Sequence, residues 1–556
     1  VAVCLLWAGS PVWTWWVSRA CFFDPADRLT PADQFYLAGI ARDTWRLFER
    51  CVGPLDRHLP PDNLQISPYD MLAHRTSPTN IGMYLLSVAC ARQFGWIGTQ
   101  DLLARLEATL ATLGTLERYR GHFMNWYDTQ TGAPLLPMYV STVDSGNLSA
   151  HLLAVAQACR EQALCPDDNG LTCQRGVAAA RQRLNPLLAQ RCQLAPGERN
   201  ELKWLLADHR ATLRSARRDQ LAQASAASLG AAASTTRQRL LGTAQALQDL
   251  AWQADFSFLY SARRHLFHIG YRVAEHQRDA GFYDLLASES RLTSLLAIAR
   301  GDVPVRHWAS LGRVFFARDA GVGLRSWTGS MFEYLMPGLV LLEPWGSVLS
   351  EAGHAALREQ MSFASLQGLP WGVSESAYAA SDDSLAYQYA PQGVAGLALR
   401  RTPPDELVVA PYATALAAQI APHAALLNFV GLERLGARGR YGFIEALDYT
   451  AARHTGDAPF VPVATFMAHH QGMSIVALAN VLHQGVAQRW GMANAHLQAV
   501  SSLLHERVPR EISNLAAIQS GPAAQAQRRH SPGLLREVMP GIHSQIALLP
   551  EPAAPD

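Results

Sequence analysis

From Thr30 onward the apolar positions fall into a helical rhythm. Phe35, Leu37, Ile40, Ala41, Trp45, Leu47 and Phe48 recur at three- and four-residue spacing, which gathers them on one helix face over residues 30–50. Thr30-Pro31 supplies the cap and the first-turn proline. After Pro54, Pro60 and Pro61, Ser77 precedes Pro78, and the spacing predicts a second helix to about Phe94, stopped at Gly95. A third helix is predicted from about Gln100 to Leu113 behind Thr99, with Leu102, Leu103, Leu106, Leu110 and Leu113 on one face and Gly114 as its end. Val140–Asn147 leads into a fourth, through Arg160.

The segments between these helices are polar and aromatic. They include His74–Asn80, His122–Asp128, Phe256–Tyr260, His268–Tyr271, Tyr283–Arg291, Ser326–Pro337, Trp371–Tyr378, Tyr387–Tyr389, Tyr441–Tyr449 and Met467–Ser474. Residues 160–250 differ, being rich in Ala, Arg, Gln and Leu and poor in aromatics; they read as long surface helices or a helical hairpin inserted into the body, carrying little chemistry. No run of βαβ units and no glycine-rich phosphate loop occurs. Helical hairpins with functional loops at one end predict an all-α toroid, a single domain over residues 19–520 that is longer than domains usually are. Residues 521–556 are rich in Ala, Gln and Pro and read as a linker.

At the other end, residues 1–18 are apolar and uncharged, with Trp13, Trp15 and Trp16 before Arg19. This reads as the end of a transmembrane helix with an interfacial tryptophan belt, so the chain is expected to be cut from a longer membrane protein. Lys and Arg number 47 against 46 Asp and Glu, a formal net charge of +1. That balance gives no electrostatic case for nucleic acid and favours a neutral substrate. Fourteen Trp and sixteen Tyr supply flat faces on which sugars stack, although core packing accounts for most of them. The eight cysteines all lie in the first 192 residues without a CxxC pair, and read as free thiols in a reducing compartment.

Three glutamates share a setting of aromatic or small neighbours at a loop or helix start: Glu333, Glu375 and Glu445. Paired carboxylates are the equipment of glycoside hydrolysis and transglycosylation. Glu333, between Phe332 and Tyr334, has two readings: a desolvated general acid, or a structural carboxylate satisfied by backbone N–H groups at a helix start. His469-His470 are adjacent, so on a helix they diverge by about 100° and do not chelate a metal as an i, i+4 pair would. Asp128, Asp144, Asp284 and Asp448 are open between sugar binding and capping. No G-x-S-x-G elbow is present.

In order along the chain, His74–Asn80 (HRTSPTN), Val140–Asn147 (VSTVDSGN), Ser326–Pro337 (SWTGSMFEYLMP), Trp371–Tyr378 (WGVSESAY), Tyr441–Thr450 (YGFIEALDYT) and His469–Ser474 (HHQGMS) resemble the middle domain of bacterial cyclic β-1,2-glucan synthases. The likeness covers residues 30–510. It implies an (α/α)6 barrel of the glycoside hydrolase family 189 type, related to endo-β-1,2-glucanases. It also implies an anomer-retaining transglycosylase that closes linear β-1,2-glucan into rings through a covalent glycosyl-enzyme, without a cofactor or metal.

By the same resemblance Glu333 is the expected acid/base, Glu445 the expected nucleophile with Glu375 second, and Asp144 a substrate contact. Trp327, Trp371, Tyr378, Tyr387 and Tyr389 are expected acceptor-site aromatics. Further expected sugar contacts are His74, Arg75, Asn80, Asn125 and Trp126 from the first half of the chain, and Tyr449, His469, His470 and Gln471 from the second. Thr328 stands where serine is usual and Ile444 where an aromatic is usual; Ala380–Ala386 is diverged, which leaves contacts near Asp382 and Asp383 open. The implied partners are the glucan chain, glycosyltransferase and phosphorylase-like regions of one polypeptide, and the bacterial inner membrane, with this domain on the cytoplasmic side. The alternatives are an inverting endo-β-1,2-glucanase and a non-catalytic glucan-holding module.

Overall fold

The first helix runs Pro31–Cys51 and starts where the sequence places it. Thr30 Oγ1 accepts the Asp33 N–H at 3.2 Å while the Asp33 carboxylate accepts the Thr30 N–H at 2.8 Å, closing a capping box. Ser77 Oγ caps Pro78–Gln93 through the Asn80 N–H at 3.2 Å. Thr99–Leu113 starts one residue earlier than expected, with Gly98 as N-cap. Its cap comes from far along the chain: the Asp219 carboxylate takes the N–H groups of Thr99 at 2.7 Å and Gln100 at 2.9 Å. This computed structural model describes residues 28–513 except 165–167, 230–231, 319–320, 401–402, 404 and 455–457. The expected membrane segment 1–18 and the linker 521–556 fall outside the described residues. Among the described residues no helix is long and apolar enough to cross a membrane.

Six helices touch in a closed circuit: Pro78–Gln93, Thr142–Leu164, Arg291–Arg300, Met331–Leu335, Pro411–Ala418 and Ala468–Leu482. The link between Arg291–Arg300 and Met331–Leu335 is made by Arg291, whose guanidinium donates to the carbonyls of Glu333, at 2.7 Å, and Tyr334. Most of these helices are buried on nearly every side, as expected of inner helices. Gly146 allows one close approach: a Cβ there would lie 1.9 Å from Thr293 Oγ1, so it brings Thr142–Leu164 against Arg291–Arg300.

The body is helix-rich, as expected, and small sheets that the sequence did not announce lie around it. Nine small sheets of two or three strands occur among the described residues. Asn63–Gln65 pairs with Met71–Leu72 and Thr465–Met467, and Ser376–Ser381 pairs with Tyr387–Ala390. These strands are mostly two to four residues long, too short for an alternating pattern to register in the sequence. They satisfy the backbone of the loops that the helices hold together.

Within the stretch expected as an insertion, Asp168–Ala189 and Pro196–Leu229 form a hairpin. Ala232–Ala251 instead lies along Thr142–Leu164 and buries Leu240, Ala244, Leu247 and Ala251 in the main core. Ion pairs fasten the hairpin down: Asp208 to Arg46 at 2.7 Å, and Arg183 to Asp43 at 2.7 Å, with Arg438 also on Asp43 at 2.7 Å. Cys51, Cys90, Cys159, Cys173 and Cys192 are free thiols.

Candidate active site

A cleft of about 900 Å³ opens among the interhelical loops and small sheets. Its lining carboxylates are Asp62, Asp144, Glu289, Glu375 and Asp382. Of the residues singled out from sequence, His74, Arg75, Asn125, Trp126, Asp144, Glu375, Tyr387, Tyr389 and His469 line it. A polar, aromatic-bearing cleft of this kind suits a sugar chain.

Asp144 sits in the first turn of Thr142–Leu164 and accepts the Thr79 hydroxyl at 2.6 Å. The Asn125 amide bridges to it, donating to Asp144 Oδ2 at 3.0 Å while accepting from the Trp126 indole at 3.2 Å. Arg75 lies 5.1 Å over the Trp126 ring and bonds Asp62 at 2.8 and 3.0 Å. Asn80 stands behind the lining, bonding Asp62 at 3.4 Å and His469 Nδ1 at 3.1 Å.

Glu375 precedes the strand Ser376–Ser381, and its Oε1 accepts the Tyr389 hydroxyl at 2.7 Å. Burial pushes its carboxyl up to about 7, against the Tyr389 bond that pulls it down, with the charges of Glu333, Asp144 and Glu445 adding to the rise. Glu289 precedes the helix Arg291–Arg300, and its side-chain partner is the Ser288 hydroxyl at 3.2 Å. Burial raises it to about 8, helped by the charges of Glu333 and Glu375. Sequence reasoning missed Glu289 because its neighbours are Ser288 and Ser290 rather than aromatics; the signal available was a carboxyl at a helix start inside the aromatic segment Tyr283–Arg291.

Glu333 does not line the cleft. It is 5% exposed, and its carboxylate is turned onto its own loop. It accepts from Ser326 Oγ at 2.8 Å, Thr328 Oγ1 at 2.5 Å, and the N–H groups of Trp327, Thr328 and Ser330 at 3.1 Å each. With Ser330 it forms the capping box of Met331–Leu335, which is the second of the two readings open from sequence. The loop it holds seats Glu375: Ser330 Oγ accepts the Glu375 N–H at 3.2 Å, and Ser374 Oγ lies 2.9 Å from Ser330 Oγ.

Glu445 is also behind the lining and 1% exposed. Burial raises it to about 8, countered by the charge of His469 and the Ala377 N–H. Other expected contacts lie away from the cleft wall. His470 and Gln471 are buried, Gln471 against the Phe443 carbonyl at 3.3 Å. Trp371 is buried against Asn428, and Tyr378 lies under the Arg453 guanidinium at 4.7 Å. Tyr449 packs on Phe460, while Trp327 is exposed and donates to Asp284 at 2.9 Å.

Asp128 caps its own turn through Thr131 and Gln130, and Asp448 is buried against Arg453 at 2.7 Å and the Ala379 N–H at 2.8 Å. Asp382 lines the cleft while capping the turn at Ser384. Among the described residues no group of three His, Cys, Asp or Glu is arranged to hold a metal ion.

The family model Glycoamylase matches residues 281–495. The chain is 40% identical, over 566 aligned residues, to the cyclic β-(1,2)-glucan synthase NdvB of Rhizobium meliloti, covering 92% of this chain and 20% of that protein. It thus spans about a fifth of the length of this curated relative. The resemblance carried by the ordered motifs is borne out by this match. Among solved structures, the endo-β-1,2-glucanase of Chitinophaga pinensis, in complex with sophorotriose and glucose, superposes with a TM-score of 0.58 at 14% identity, covering 86% of this chain and 99% of that one. The endo-β-1,2-glucanase of Talaromyces funiculosus, in complex with sophorose, gives 0.58 at 10% identity over 85% of this chain and 90% of that one. At such identities the superpositions speak for a shared fold.

Proposed function

We propose that this chain is a retaining transglycosylase that closes linear β-1,2-glucan into rings, with Glu375 as nucleophile and Glu289 as acid/base. The observation that carries the reading is the pair of cleft carboxyls with unequal surroundings: Glu375 accepts a phenol hydrogen bond at 2.7 Å, whereas the side-chain hydroxyl on Glu289, from Ser288, lies farther off at 3.2 Å. Hydrogen bonds to a carboxylate favour its ionised form, so Glu375 ionises first and Glu289 keeps its proton. This reassigns the roles expected for Glu445 and Glu333, whose carboxyls lie behind the cleft wall. The substrate class rests on the names of the relatives, and the closed circuit of six helices supports reading the body as an (α/α)6 toroid.

The reaction follows from these roles. Glu375 attacks the anomeric carbon of a β-1,2-linked glucose while Glu289 protonates the departing glycosidic oxygen. A glycosyl ester on Glu375 and a free glucan end result. A hydroxyl of the chain still attached then attacks the anomeric carbon, Glu289 takes its proton, and the ester bond to Glu375 breaks. Two displacements retain the anomer. Trp126, Tyr387 and Tyr389 in the lining provide surfaces that hold the returning sugar against competition from water. In a longer polypeptide at the bacterial inner membrane, with this domain on the cytoplasmic side, a glycosyltransferase region would supply the linear chain and a phosphorylase-like region would trim it.

Incubating the purified chain with linear β-1,2-glucan tests the reading: products lighter by one water than the linear series are expected. Accumulating reducing ends instead would favour the second reading, an inverting endo-β-1,2-glucanase, to which the superposed glucanases lend support. Inversion calls for carboxyls roughly 6.5–9.5 Å apart, against roughly 5–5.5 Å for retention. Binding of glucan without any turnover would leave a glucan-holding module.

A further inference from the structure

A line of four side chains runs from a buried carboxyl to the cleft. Glu445 Oε1 lies 2.8 Å from His470 Nδ1, His470 Nε2 lies 3.4 Å from Tyr389 Oη, and Tyr389 Oη lies 2.7 Å from Glu375 Oε1. Four separate segments meet here: the residue before strand Ala446–Asp448, the first turn of Ala468–Leu482, the strand Tyr387–Ala390, and the residue before Ser376–Ser381. The imidazole cannot swing, because Tyr412 stacks on it with ring centroids 3.6 Å apart and planes 8° from parallel. The Tyr412 hydroxyl in turn bonds Ser374 Oγ at 2.8 Å and the Glu375 carbonyl at 2.9 Å.

We propose that Glu445, His470 and Tyr389 form a proton-sharing relay through which Glu445 and Glu375 hold one proton between them, so that Glu375 is an ionised nucleophile whenever the proton rests on Glu445. The proposal rests on the reading of Glu375 as nucleophile. It makes Glu445, His470 and Tyr389 positioning residues, acting on the reaction through Glu375.

The donor count dictates the two states. A neutral imidazole carries one N–H. With the proton on Glu445, its O–H donates to Nδ1, Nε2–H donates to Tyr389 Oη, and the Tyr389 O–H donates to Glu375; every donor points towards the cleft and the Glu375 carboxylate is supported. In the reverse state Glu375 O–H donates to Tyr389, the Tyr389 O–H donates to Nε2, and Nδ1–H donates to the Glu445 carboxylate. Three protons each move one link between the states, and none is gained or lost. An uncharged Glu445–His470 pair fits the setting: burial raises Glu445 to about 8 and drives His470 well below the usual histidine range. Other titratable groups facing the line are Asp144, Glu289 and Glu333 near Glu375, Tyr412 and His469 beside His470, and Asp62 near Glu445. None of them changes in the variants below.

The test is the acidic limb of the kcat/KM profile on linear β-1,2-glucan, with the whole chain. Glu445→Gln places an amide donor on Nδ1 permanently and locks the cleft-pointing state, so the limb moves to lower pH by about one unit. Tyr389→Phe removes the last donor, so the limb moves up by about one unit. In a His470→Phe background only the direct effect of the Glu445 charge on Glu375 remains, so Glu445→Gln moves the limb less than it does in the parent chain, and an equal shift overturns the relay. Shifts of the same sign, or a lower kcat with an unmoved limb in Glu445→Gln, overturn the relay. Should Glu445→Gln not fold, His470→Phe decides: loss of the upstream donor raises the limb, and an unmoved limb overturns the proposal. The carboxyl titration of Glu375, read by carbon-13 NMR and assigned with Glu375→Gln, must follow the same shifts. That titration needs no turnover, so a chain inactive on the glucan refutes the functional reading, while the Glu375 titration still decides for or against the relay.

Discussion

Glu333 and Ser326 are joined by a 2.8 Å hydrogen bond that helps fold residues 326–333 back on themselves. Four more donors complete the ring around that carboxylate. Glu333→Gln therefore sets an amide against N–H groups that need an acceptor, and is expected to destabilise the chain by about 2–3 kcal/mol. Activity should fall through displacement of Glu375, with Tm lowered and both limbs of the pH profile moved to lower pH, because the Glu333 charge that raises Glu375 and Glu289 is gone. A variant of full stability with a lost basic limb would instead return the acid role to Glu333.

Glu289→Gln and Glu375→Gln should behave in the opposite way, each lowering kcat by roughly 10²–10⁴ while leaving thermal stability intact or improved. A further check separates their roles. Glu375→Ala leaves room for azide to attack the anomeric carbon, and the expected product of rescue is the α-glycosyl azide, detected by NMR. No rescue by azide, together with rescue of a Glu289 variant, would exchange the two assignments.

The same pair sets the pH dependence. In the proposed roles Glu375 must be ionised, favoured above about 7, and Glu289 protonated, favoured below about 8. A narrow bell is expected, and because the two carboxyls interact, its limbs belong to the pair as a whole. A plateau reaching down to pH 5 would contradict it.

Stability should follow pH with a definite sign. Glu289, Glu375 and Glu445 all bind protons more tightly folded than unfolded, where a glutamate titrates near 4.3. Their contribution is present in full below that value and is lost as pH rises through about 7 to 8. The part of Tm that these groups control should fall between pH 5 and 9, and Glu445→Gln should flatten the slope.

Gly146→Ala would drive a methyl group into Thr293 and part the helices that carry Asp144 and lead away from Glu289. A loss of about 1–3 kcal/mol is expected. Thr293→Ser removes a methyl carbon 2.7 Å from the inserted Cβ, so the double variant should regain part of the lost Tm.

How far the sequence could be read depends on how local each feature's cause is. Thr30 and Ser77 announce their helices because a cap acts within three residues. Much of the cleft wall was legible too, since Arg75, Asn125, Trp126, Asp144 and Tyr389 stand in loops dense with sugar-binding residue types. The acid was not. Aromatic neighbours in sequence picked out Glu333, but desolvation is a property of space, and Glu289 acquires it from the fold with serines on either side. Whether a carboxyl ends in a cleft or in a capping box depends on its rotamer and on loops brought from elsewhere. The same holds for the cap of Thr99–Leu113, which arrives from Asp219.

That last contact bears on anyone who would shorten this chain. The 168–229 hairpin looks like an excursion that could be cut away and replaced by a short tether. Its removal would strip Thr99 and Gln100 of their acceptor and leave Arg46 and Asp43 without Asp208 and Arg183. A trimmed version would need a serine or aspartate installed at Gly98 and new partners for those charges. The excursion is a keystone, and natural relatives that lack it should be found to carry such replacements in their own first and third helices.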